Sequence, residues 1–306
     1  MMLSKIEFKK LIFVIALAAP LIVFGVQALK RPDVTNSEFQ SVFAGVTYLQ
    51  GRGFKDRTVS YHLVMIDLGS ARVQPVLTPP CEATPDHFCA KTVSDFVKDH
   101  ELQLAINASY FYPFKEDAFW DFAPRAGDKV KPVGLAITDG VLINPGKSGV
   151  PSLCFHERHA TMQKDGMCPA GTKNAIAGRV LIEKANLKPN RKYAARTYPL
   201  NLVGLNQKGT VLFLLIVDGK QPFYSDGLLP NEGAELLFQY GAVRVLQLDG
   251  GGSTTLVMSD NGTPRIMNAV IHTRIPGRER RVANHLGFLL QPISDAGFAI
   301  TNSAQD

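Results

Sequence analysis

The chain has 306 residues, of which 45% are hydrophobic and 20% are charged. This composition is typical of a globular protein and excludes a mainly disordered chain, a collagen-like repeat and a polytopic membrane protein. Residues 1–31 carry four of the six net positive charges, and no basic stripe interleaved with aromatic residues follows them. The sequence therefore predicts no nucleic-acid partner.

The amino terminus carries an apolar segment of the kind that directs export. Residues 11–29 contain no charged side chain and follow a short basic stretch. A helix of this length would span about 28 Å, close to the hydrocarbon thickness of a bilayer. The small residues around Val26-Gln27-Ala28 also fit a signal-peptidase site. We expect residues 1–31 to be a cleaved signal peptide or a membrane anchor, with the remaining chain periplasmic or extracellular.

Hydrophobic patterning in the body of the chain predicts several short strands and few helices. In chain order, strands are expected at 61–68, 102–106, 133–138, 211–217, 243–248 and 285–290. One helix is expected after the capping residue Thr92, and a second is expected from an Asn231 cap to Tyr240, before Gly241. Asp139-Gly140 follows the third strand and is a hairpin signal.

These elements favour a mixed α/β class (α+β), because strands outnumber helices and no strand–helix–strand unit repeats. We expect one large domain with a largely antiparallel β-sheet core and packed helices. The predicted organisation is a linker at 32–44, the domain at 45–295 and a tail at 296–306. The loop-rich stretch 145–175 is interpreted as an insertion.

Cysteine spacing is consistent with export. The four cysteines form two local pairs, Cys81 with Cys89 and Cys154 with Cys168. An even number in an exported chain favours disulfides, and we predict bonds between neighbours because each pair brackets a loop-like stretch. Zinc is the alternative for the second pair, since His156 and His159 would complete four ligands. The spacing matches no zinc-finger pattern, so neither a metal nor a cofactor is predicted.

A glycine run is the clearest sign of a functional site. Asp249-Gly-Gly-Gly-Ser253 directly follows a predicted buried strand. Consecutive glycines allow close approach of the backbone to a ligand, and their N–H groups can form an anion-binding nest. The run is not a Walker loop, because no Gly-Lys-Ser/Thr follows. Asp218-Gly219 closes another apolar strand, so we expect Asp218 and Asp249 to share one rim of the sheet, where ligands bind.

Four blocks of sequence resemble the phosphodiester glycosidase family, whose bacterial relatives are often labelled exopolysaccharide-biosynthesis proteins. The blocks are Asn107 to Phe111, Arg196-Thr197 with Val217-Asp218-Gly219, Leu248 to Thr255, and Glu279 to Asn284. Ala108 and Ser109 stand where the family pattern has two glycines. The resemblance covers about residues 45–292.

The resemblance implies hydrolysis of the glycosidic C–O bond of a sugar-1-phosphodiester, of N-acetylhexosamine type, in a surface glycan or glycoconjugate. Most glycosidases use two carboxylates. Asp218 and Asp249 are the predicted catalytic pair, with Asp139 and Glu232 in reserve. Phosphate recognition favours arginine and backbone N–H groups. The predicted substrate-binding residues are Asn107, Arg196, Thr197, Gly219, Gly250, Gly251, Gly252, Ser253, Thr254, Arg281 (with Arg280 as its alternative) and Asn284.

Two other functions are considered. A non-catalytic surface glycan-binding or exopolysaccharide-assembly protein could use the same fold. The paired carboxylates argue for an enzyme, because a binding protein has no need of them. A metal-dependent phosphodiesterase that cuts the P–O bond would need a His/Asp cluster, and the sequence shows none. His62 and His285 are expected in the core, and His272 near the rim of the site.

Overall fold

The computed structural model describes residues 5–291, except residue 83 and residues 188–195. Its α-helices are α1 (Lys5–Leu29), α2 (Val93–Asp99) and α3 (Pro230–Gln239). Its strands are, in chain order, β1 (Gln40–Phe43), β2 (Val46–Phe54), β3 (Arg57–Asp67), β4 (Val73–Leu77), β5 (Phe88–Cys89), β6 (Leu104–Asn107), β7 (Phe111–Tyr112), β8 (Lys115–Glu116), β9 (Phe122–Ala123), β10 (Lys129–Pro132), β11 (Ala136–Thr138), β12 (Val141–Asn144), β13 (Ser152–Phe155), β14 (Ala160–Gln163), β15 (Asn174–Ala177), β16 (Val180–Glu183), β17 (Leu200–Leu205), β18 (Val211–Val217), β19 (Arg244–Gln247), β20 (Leu256–Asp260), β21 (Thr263–Ile266) and β22 (His285–Leu290).

The largest sheet has seven strands in the order β1-β2-β3-β18-β17-β19-β16. All of its neighbouring strands are antiparallel. The central strand β18 is buried on both faces from residue 212 to residue 217, which explains its continuous apolar sequence. Because β17 lies between β18 and β19, these two strands run in the same direction and end at the same rim.

Two five-stranded sheets pack against one face of the seven-stranded sheet. Their strand orders are β21-β20-β6-β22-β4 and β12-β11-β15-β13-β14. One core cluster joins all three sheets, and it includes Leu214 from the large sheet, Ile106 and Leu286 from the second, and Leu153 and Ile176 from the third. Two small sheets, β5-β10-β7 and β8-β9, lie outside this sandwich.

Two helices cover the outer faces of the sandwich. Helix α3 packs Leu237 against the large sheet, in a cluster that includes Leu202 and Leu215. Helix α2 packs Phe96 against the second sheet, in a cluster that includes Val257. The described chain therefore has helix, sheet, sheet and helix layers, which agrees with a mixed α+β class. It is more strongly β than the expected packed helices imply, because α2 and α3 are short.

The helix boundaries show one correct cap and one error. Thr92 caps α2 as predicted, since its hydroxyl accepts a hydrogen bond from the Asp95 N–H and the Asp95 carboxylate accepts one from the Thr92 N–H. Helix α3, in contrast, begins at Pro230, with Leu229 as its N-cap residue. Proline has a fixed φ that suits the first helical position, so Asn231 lies inside the first turn instead of capping it.

The interpretation of 145–175 as an insertion was wrong. This stretch supplies β13, β14 and the first half of β15, and side chains such as Leu153 and Phe155 enter the main core. Strand β1 lies within the segment predicted as the linker, 32–44, and pairs with β2. The tail at 296–306 lies outside the described residues.

The apolar amino-terminal segment forms part of α1. Among the described residues, no helix combines the length and the hydropathy needed to cross a membrane.

Both predicted disulfides are present. Cys81 bonds to Cys89 and Cys154 bonds to Cys168, with Cα–Cα distances of 5.4 and 5.8 Å. The second bond leaves neither sulfur as a thiolate ligand, which removes the zinc alternative. The His156 and His159 rings stack on each other with their centroids 4.5 Å apart.

We expect the second disulfide to stabilise the fold more than the first. Replacing Cys154 and Cys168 together by alanine should lower the free energy of unfolding by about 3 kcal/mol, because the bond limits the unfolded chain over a separation of 14 residues. Replacing Cys81 and Cys89, which are 8 residues apart, should cost a few tenths of a kcal/mol less. Urea denaturation of the two double variants measures the difference. Reactive thiols in denatured, unreduced protein from its native compartment would contradict both bonds.

Candidate active site

The glycine run after β19 forms a tight loop that begins with Asp249. Gly251 has a φ of +62°, in the left-handed region that favours glycine. A Cβ atom at Gly250 would lie 2.8 Å from the Pro199 carbonyl oxygen, and one at Gly252 would lie 2.5 Å from the Arg280 guanidinium. Each of the three glycines is therefore required, one by its conformation and two by close contacts.

Asn107 supports this loop from below. Its Nδ2 donates to the Asp249 carbonyl oxygen at 2.6 Å, and its Oδ1 accepts from the Thr255 N–H at 3.0 Å. Asn201 donates in turn to the carbonyl and side-chain oxygens of Asn107. Asn107 is fully buried. Its role in the structure is to hold both ends of the loop, in contrast to the substrate contact predicted from the sequence.

Asn284 supports the first sequence block in the same way. Its Oδ1 accepts from the Ser109 N–H at 2.9 Å, and its Nδ2 donates to the Ser109 hydroxyl at 3.3 Å. The same hydroxyl accepts from the Ala177 N–H at 3.2 Å, which ties the block to β15. Ser109 is thus a buried bracing residue at a position where the family pattern has glycine, and Asn284 does not line the cleft described next.

The glycine loop forms part of the wall of a cleft of about 810 Å³. Asp249 and all three glycines line this cleft. The other polar or charged residues that line it include Tyr110, Glu116, Arg179, Arg196, Lys220 and Arg280.

Arg280 is the central charge of the cleft. Its Nη2 lies 2.7 Å from a Glu116 carboxylate oxygen, and its Nη1 donates to the Ser253 hydroxyl at 3.1 Å. Its Nε donates to Nδ1 of His272 at 3.1 Å. The planar guanidinium is therefore fixed on three sides. Arg281, which was predicted to bind phosphate, is not among the residues that line the cleft.

The two carboxyl groups beside Arg280 have different proton affinities. Burial raises the pKa of Asp249 to about 6, although a hydrogen bond from Ser253 and the charge of Arg280 act in the opposite direction. Burial also opposes ionisation of Glu116, but contacts with His272 and Arg280 lower its pKa to about 2. Near neutral pH, Glu116 is ionised while Asp249 can still exchange a proton. Carboxyl pairs with separated pKa values are typical of acid–base catalysis.

Asp218 lies at the same rim as Asp249 but faces away from the cleft. One of its carboxylate oxygens accepts from the Ala269 N–H at 2.9 Å and from Asn268 Nδ2 at 3.1 Å. Asn268 Nδ2 also donates to the Thr254 carbonyl oxygen at 3.1 Å. Asp218 therefore supports the glycine loop from behind. Asp218 is not among the residues that line the cleft with Asp249, and β17 lies between the strands that precede the two residues.

Asp218 belongs to a second buried network. Tyr224 donates to its other carboxylate oxygen at 3.5 Å, and Nε2 of His62 lies 3.9 Å from that oxygen. Nδ1 of His62 is 2.6 Å from the Tyr48 hydroxyl. Burial raises the pKa of Asp218 to about 7 and lowers the pKa of His62 to about 3. Both groups are therefore mainly uncharged between about pH 3 and pH 7.

Among the other predicted site residues, some line the cleft and others have packing or hydrogen-bonding roles outside it. Arg196 is exposed and lines the cleft, whereas Thr197 donates its hydroxyl to the Asp226 carbonyl oxygen at 2.8 Å. A Cβ atom at Gly219 would lie 2.7 Å from the Pro199 nitrogen, so this glycine is needed for packing. Thr254 is buried, and its hydroxyl has no hydrogen-bond partner among the described residues.

The two reserve carboxylates have structural roles. Asp139 occupies the turn between β11 and β12 with a φ of +50° and lies outside the cleft. Glu232 lines the cleft, but it pairs with Arg57 at 2.6 Å and accepts from the Leu229 N–H at 2.9 Å, at the start of α3. His62 and His285 are fully buried, as expected.

Sequence reasoning missed Tyr110, Glu116, Arg179 and Lys220. Tyr110 lies inside the first block, at an aromatic position, so the block itself could have indicated it. Glu116 lies on the two-residue strand β8 and belongs to no motif. Its partner Arg280 is distant in sequence, and no local pattern connects the two.

The chain belongs to the phosphodiester glycosidase family, because residues 100–289 match that family. No curated protein matches the sequence.

Three solved structures are similar to the fold. The catalytic domain of zebrafish N-acetylglucosamine-1-phosphodiester α-N-acetylglucosaminidase, auto-inhibited by its pro-peptide, has a TM-score of 0.57 at 17% identity, covering 88% of this chain and 93% of that one. A hypothetical protein from Synechocystis has a TM-score of 0.55 at 14% identity, covering 86% of this chain and 64% of that one. A Burkholderia pseudomallei protein described as exported has a TM-score of 0.54 at 15% identity, covering 81% and 76%.

We predict that Asp218 makes stability depend on pH. The unfolded carboxyl group has a pKa near 4 and the folded one about 7, so folding retains a proton within this window and stability falls as pH rises through it. Asp218→Asn has no such proton. Between pH 5 and pH 8 the wild type should lose roughly 2–3 kcal/mol more than the variant. Urea denaturation at the two pH values measures this, and equal losses would show that Asp218 has an ordinary pKa.

Proposed function

We propose that this protein hydrolyses the glycosidic C–O bond of a sugar-1-phosphodiester, of N-acetylhexosamine type, in a surface glycan or glycoconjugate. The observation that carries the proposal is the position of Asp249, which lies in a cleft between a glycine loop and the buried Arg280. Family membership supports the reaction class.

The carboxyl groups of Asp249 and Glu116 have different roles in the proposed reaction. Cleavage of the C–O bond develops positive charge on the sugar ring and negative charge on the departing phosphate. Asp249 has a pKa near neutrality, so it can give a proton to the leaving oxygen. Glu116 remains ionised, so its negative charge can stabilise the oxocarbenium ion. Arg280 affects the two carboxyl groups differently, because it pairs with Glu116 directly and with Asp249 through Ser253.

Positive charge at the cleft suits a phosphodiester. Arg196 and Lys220 both line it, whereas the Gly251 N–H of the glycine loop already donates to the Pro199 carbonyl oxygen at 3.0 Å. Lys220 lies with its Nζ 4.0 Å from the centroid of the Tyr198 ring, which also lines the cleft. We assign phosphate binding to these two cationic side chains, whereas Asn107, Asn284 and Asp218 support the loop from behind.

The proposed location is outside the cytoplasm. Two disulfides support this, because such bonds persist in oxidising compartments. The similar Burkholderia pseudomallei fold is also described as exported. We further propose that residues 45–295 form the catalytic domain and that residues 1–31 are the export segment.

The products of a simple substrate test the reaction. Methyl N-acetylglucosamine-1-phosphate should yield reducing sugar and methyl phosphate. Release of sugar-1-phosphate and methanol would instead show a phosphodiesterase that cuts the P–O bond. Binding without turnover would favour the non-catalytic glycan-binding alternative.

We predict that Asp249→Asn lowers kcat and kcat/KM by 10²–10⁴-fold, because the amide cannot supply a proton to the leaving oxygen. Asp218→Asn is the matched control, since it makes the same chemical change at a carboxyl outside the cleft, and its kcat should stay within a few fold of wild type. Steady-state kinetics of both variants on the methyl substrate give the comparison. Equal losses in the two variants would show that Asp249 has no special role.

A further inference from the structure

Three exposed aromatic side chains lie on and beside the β8–β9 hairpin. Phe114, Phe119 and Trp120 expose 47%, 57% and 65% of their surfaces. We call these three residues the aromatic platform. Grouped apolar rings at a surface usually mark a site of interaction, because water contact with them is unfavourable.

The hairpin holds the platform in a fixed position. The Phe122 ring, at its base, lies under two guanidinium groups, Arg125 at 3.8 Å and Arg278 at 4.4 Å from the ring centroid. Arg125 also donates to the Trp120 carbonyl oxygen at 2.6 Å, and Arg278 donates to the Phe119 carbonyl oxygen at 2.7 Å. The exposed rings are therefore mounted on an anchored backbone, which lowers the entropy cost of binding to them.

The platform is continuous with the cleft. Phe114 and Glu116 both line the cleft, and the Phe114 ring centroid lies 4.8 Å from the Arg280 guanidinium. The turn that follows Glu116 carries Phe119 and Trp120, whose ring centroids are 4.3 Å apart. This turn is compact, because the Asp117 N–H donates to the Asp121 carbonyl oxygen at 3.1 Å. A ligand that leaves the cleft past Phe114 would thus pass close to the turn that carries these two rings.

We propose that the aromatic platform binds further sugar residues of the substrate, so that the enzyme acts on an extended glycan. This inference rests on the proposed function. Pyranose rings have apolar C–H faces that pack on aromatic rings, and their hydroxyls need acceptors. Asp117 and Asp121 lie beside the two tip aromatics and are 68% and 50% exposed, so their carboxylates can accept hydrogen bonds from those hydroxyls.

The charge of the platform favours a glycan over a membrane surface. Exposed tryptophan and phenylalanine also occur at membrane interfaces, where neighbouring lysines and arginines are attracted to anionic lipids. At the tip, the cation Lys115 is paired with Asp117 and Asp121, at 3.4 and 2.6 Å, while Arg125 and Arg278 lie at the base of the hairpin beside the Phe122 ring. The two tip carboxylates outnumber the one tip cation, so the tip itself carries no excess positive charge that would attract anionic lipids.

Trp120 gives a direct readout, because it is the single tryptophan of the chain. The full-length Asp249→Asn protein, which avoids turnover, is titrated with two probes: methyl N-acetylglucosamine-1-phosphate and the same sugar phosphate joined to a tetrasaccharide. The tetrasaccharide probe should shift the Trp120 emission to the blue and bind about tenfold more tightly than the methyl probe. The methyl probe should leave the emission unchanged.

Variants locate the effect. Phe119→Ala keeps the fluorophore and should weaken the tetrasaccharide probe by about tenfold, with no effect on the methyl probe. Leu142→Ala is the matched control, because Leu142 is 58% exposed on the separate β11–β12 hairpin. In the active enzyme, Trp120→Ala should raise KM for the tetrasaccharide substrate about tenfold and leave kcat for the methyl substrate unchanged. This second measurement does not depend on Phe119→Ala being folded.

Equal affinity for the two probes, or equal behaviour of the Phe119 and Leu142 variants, would overturn the platform. A blue shift with vesicles of phosphatidylglycerol and none with the tetrasaccharide would also overturn it, in favour of a membrane contact. The proposed function fails separately, if the wild type hydrolyses neither substrate. Saturable binding of the tetrasaccharide at Trp120 in that case would support the platform and contradict only the reaction.

Discussion

The candidate site depends on the compensation of one buried charge. Arg280 is only 6% exposed, and an unpaired cation at such a depth would cost several kcal/mol. Its partners come from separate parts of the chain: Glu116 on a small hairpin, Ser253 on the glycine loop and His272 on a short turn. The guanidinium therefore brings these segments into one place. Their mutual positions follow from the directions in which its N–H groups point.

The same charge makes the cleft electrostatically asymmetric. Glu116 touches the guanidinium directly, and the contact overcomes the burial that would otherwise favour its neutral form. Asp249 is buried more deeply and reaches the arginine through a hydroxyl, so burial dominates there. Two residues with the same functional group thus acquire different protonation states from their different distances to one cation.

Much of the fold could be predicted from local pattern. Strands 211–217 and 285–290 were located at their true bounds, because both are apolar runs closed by polar or turn residues. The neighbour pairing of the cysteines was also correct. The stretch 145–175 was wrongly interpreted as a loop-rich insertion. Its strands are only four residues long and are separated by turns, so the pattern of turn residues was stronger than that of the short apolar runs.

The site was predicted in part, for a reason that depends on strand order. The glycine loop and Asp249 could be predicted from the sequence, because a run of three glycines costs conformational entropy and therefore indicates a functional need for them. Asp218 has the same local signature, an apolar strand followed by aspartate and glycine. However, β17 lies between β18 and β19, and the Asp218 carboxyl accepts a hydrogen bond from Asn268. No single-chain pattern reveals which strand lies between two others. Glu116 was missed because its importance comes from a contact with a residue that is far away in sequence.

The missing side chain at Gly252 has a further consequence. The space that a Cβ atom would fill is occupied by the Arg280 guanidinium, so a methyl group at 252 and an arginine at 280 exclude each other. The two positions are 28 residues apart in the sequence, but the residue at one position limits which residues can occupy the other. A larger residue at 252 requires Arg280 to shift or to be replaced by a shorter residue, and either change would loosen its contact with Glu116 and the hairpin that carries it. The third glycine of the loop thus constrains the opposite wall of the cleft.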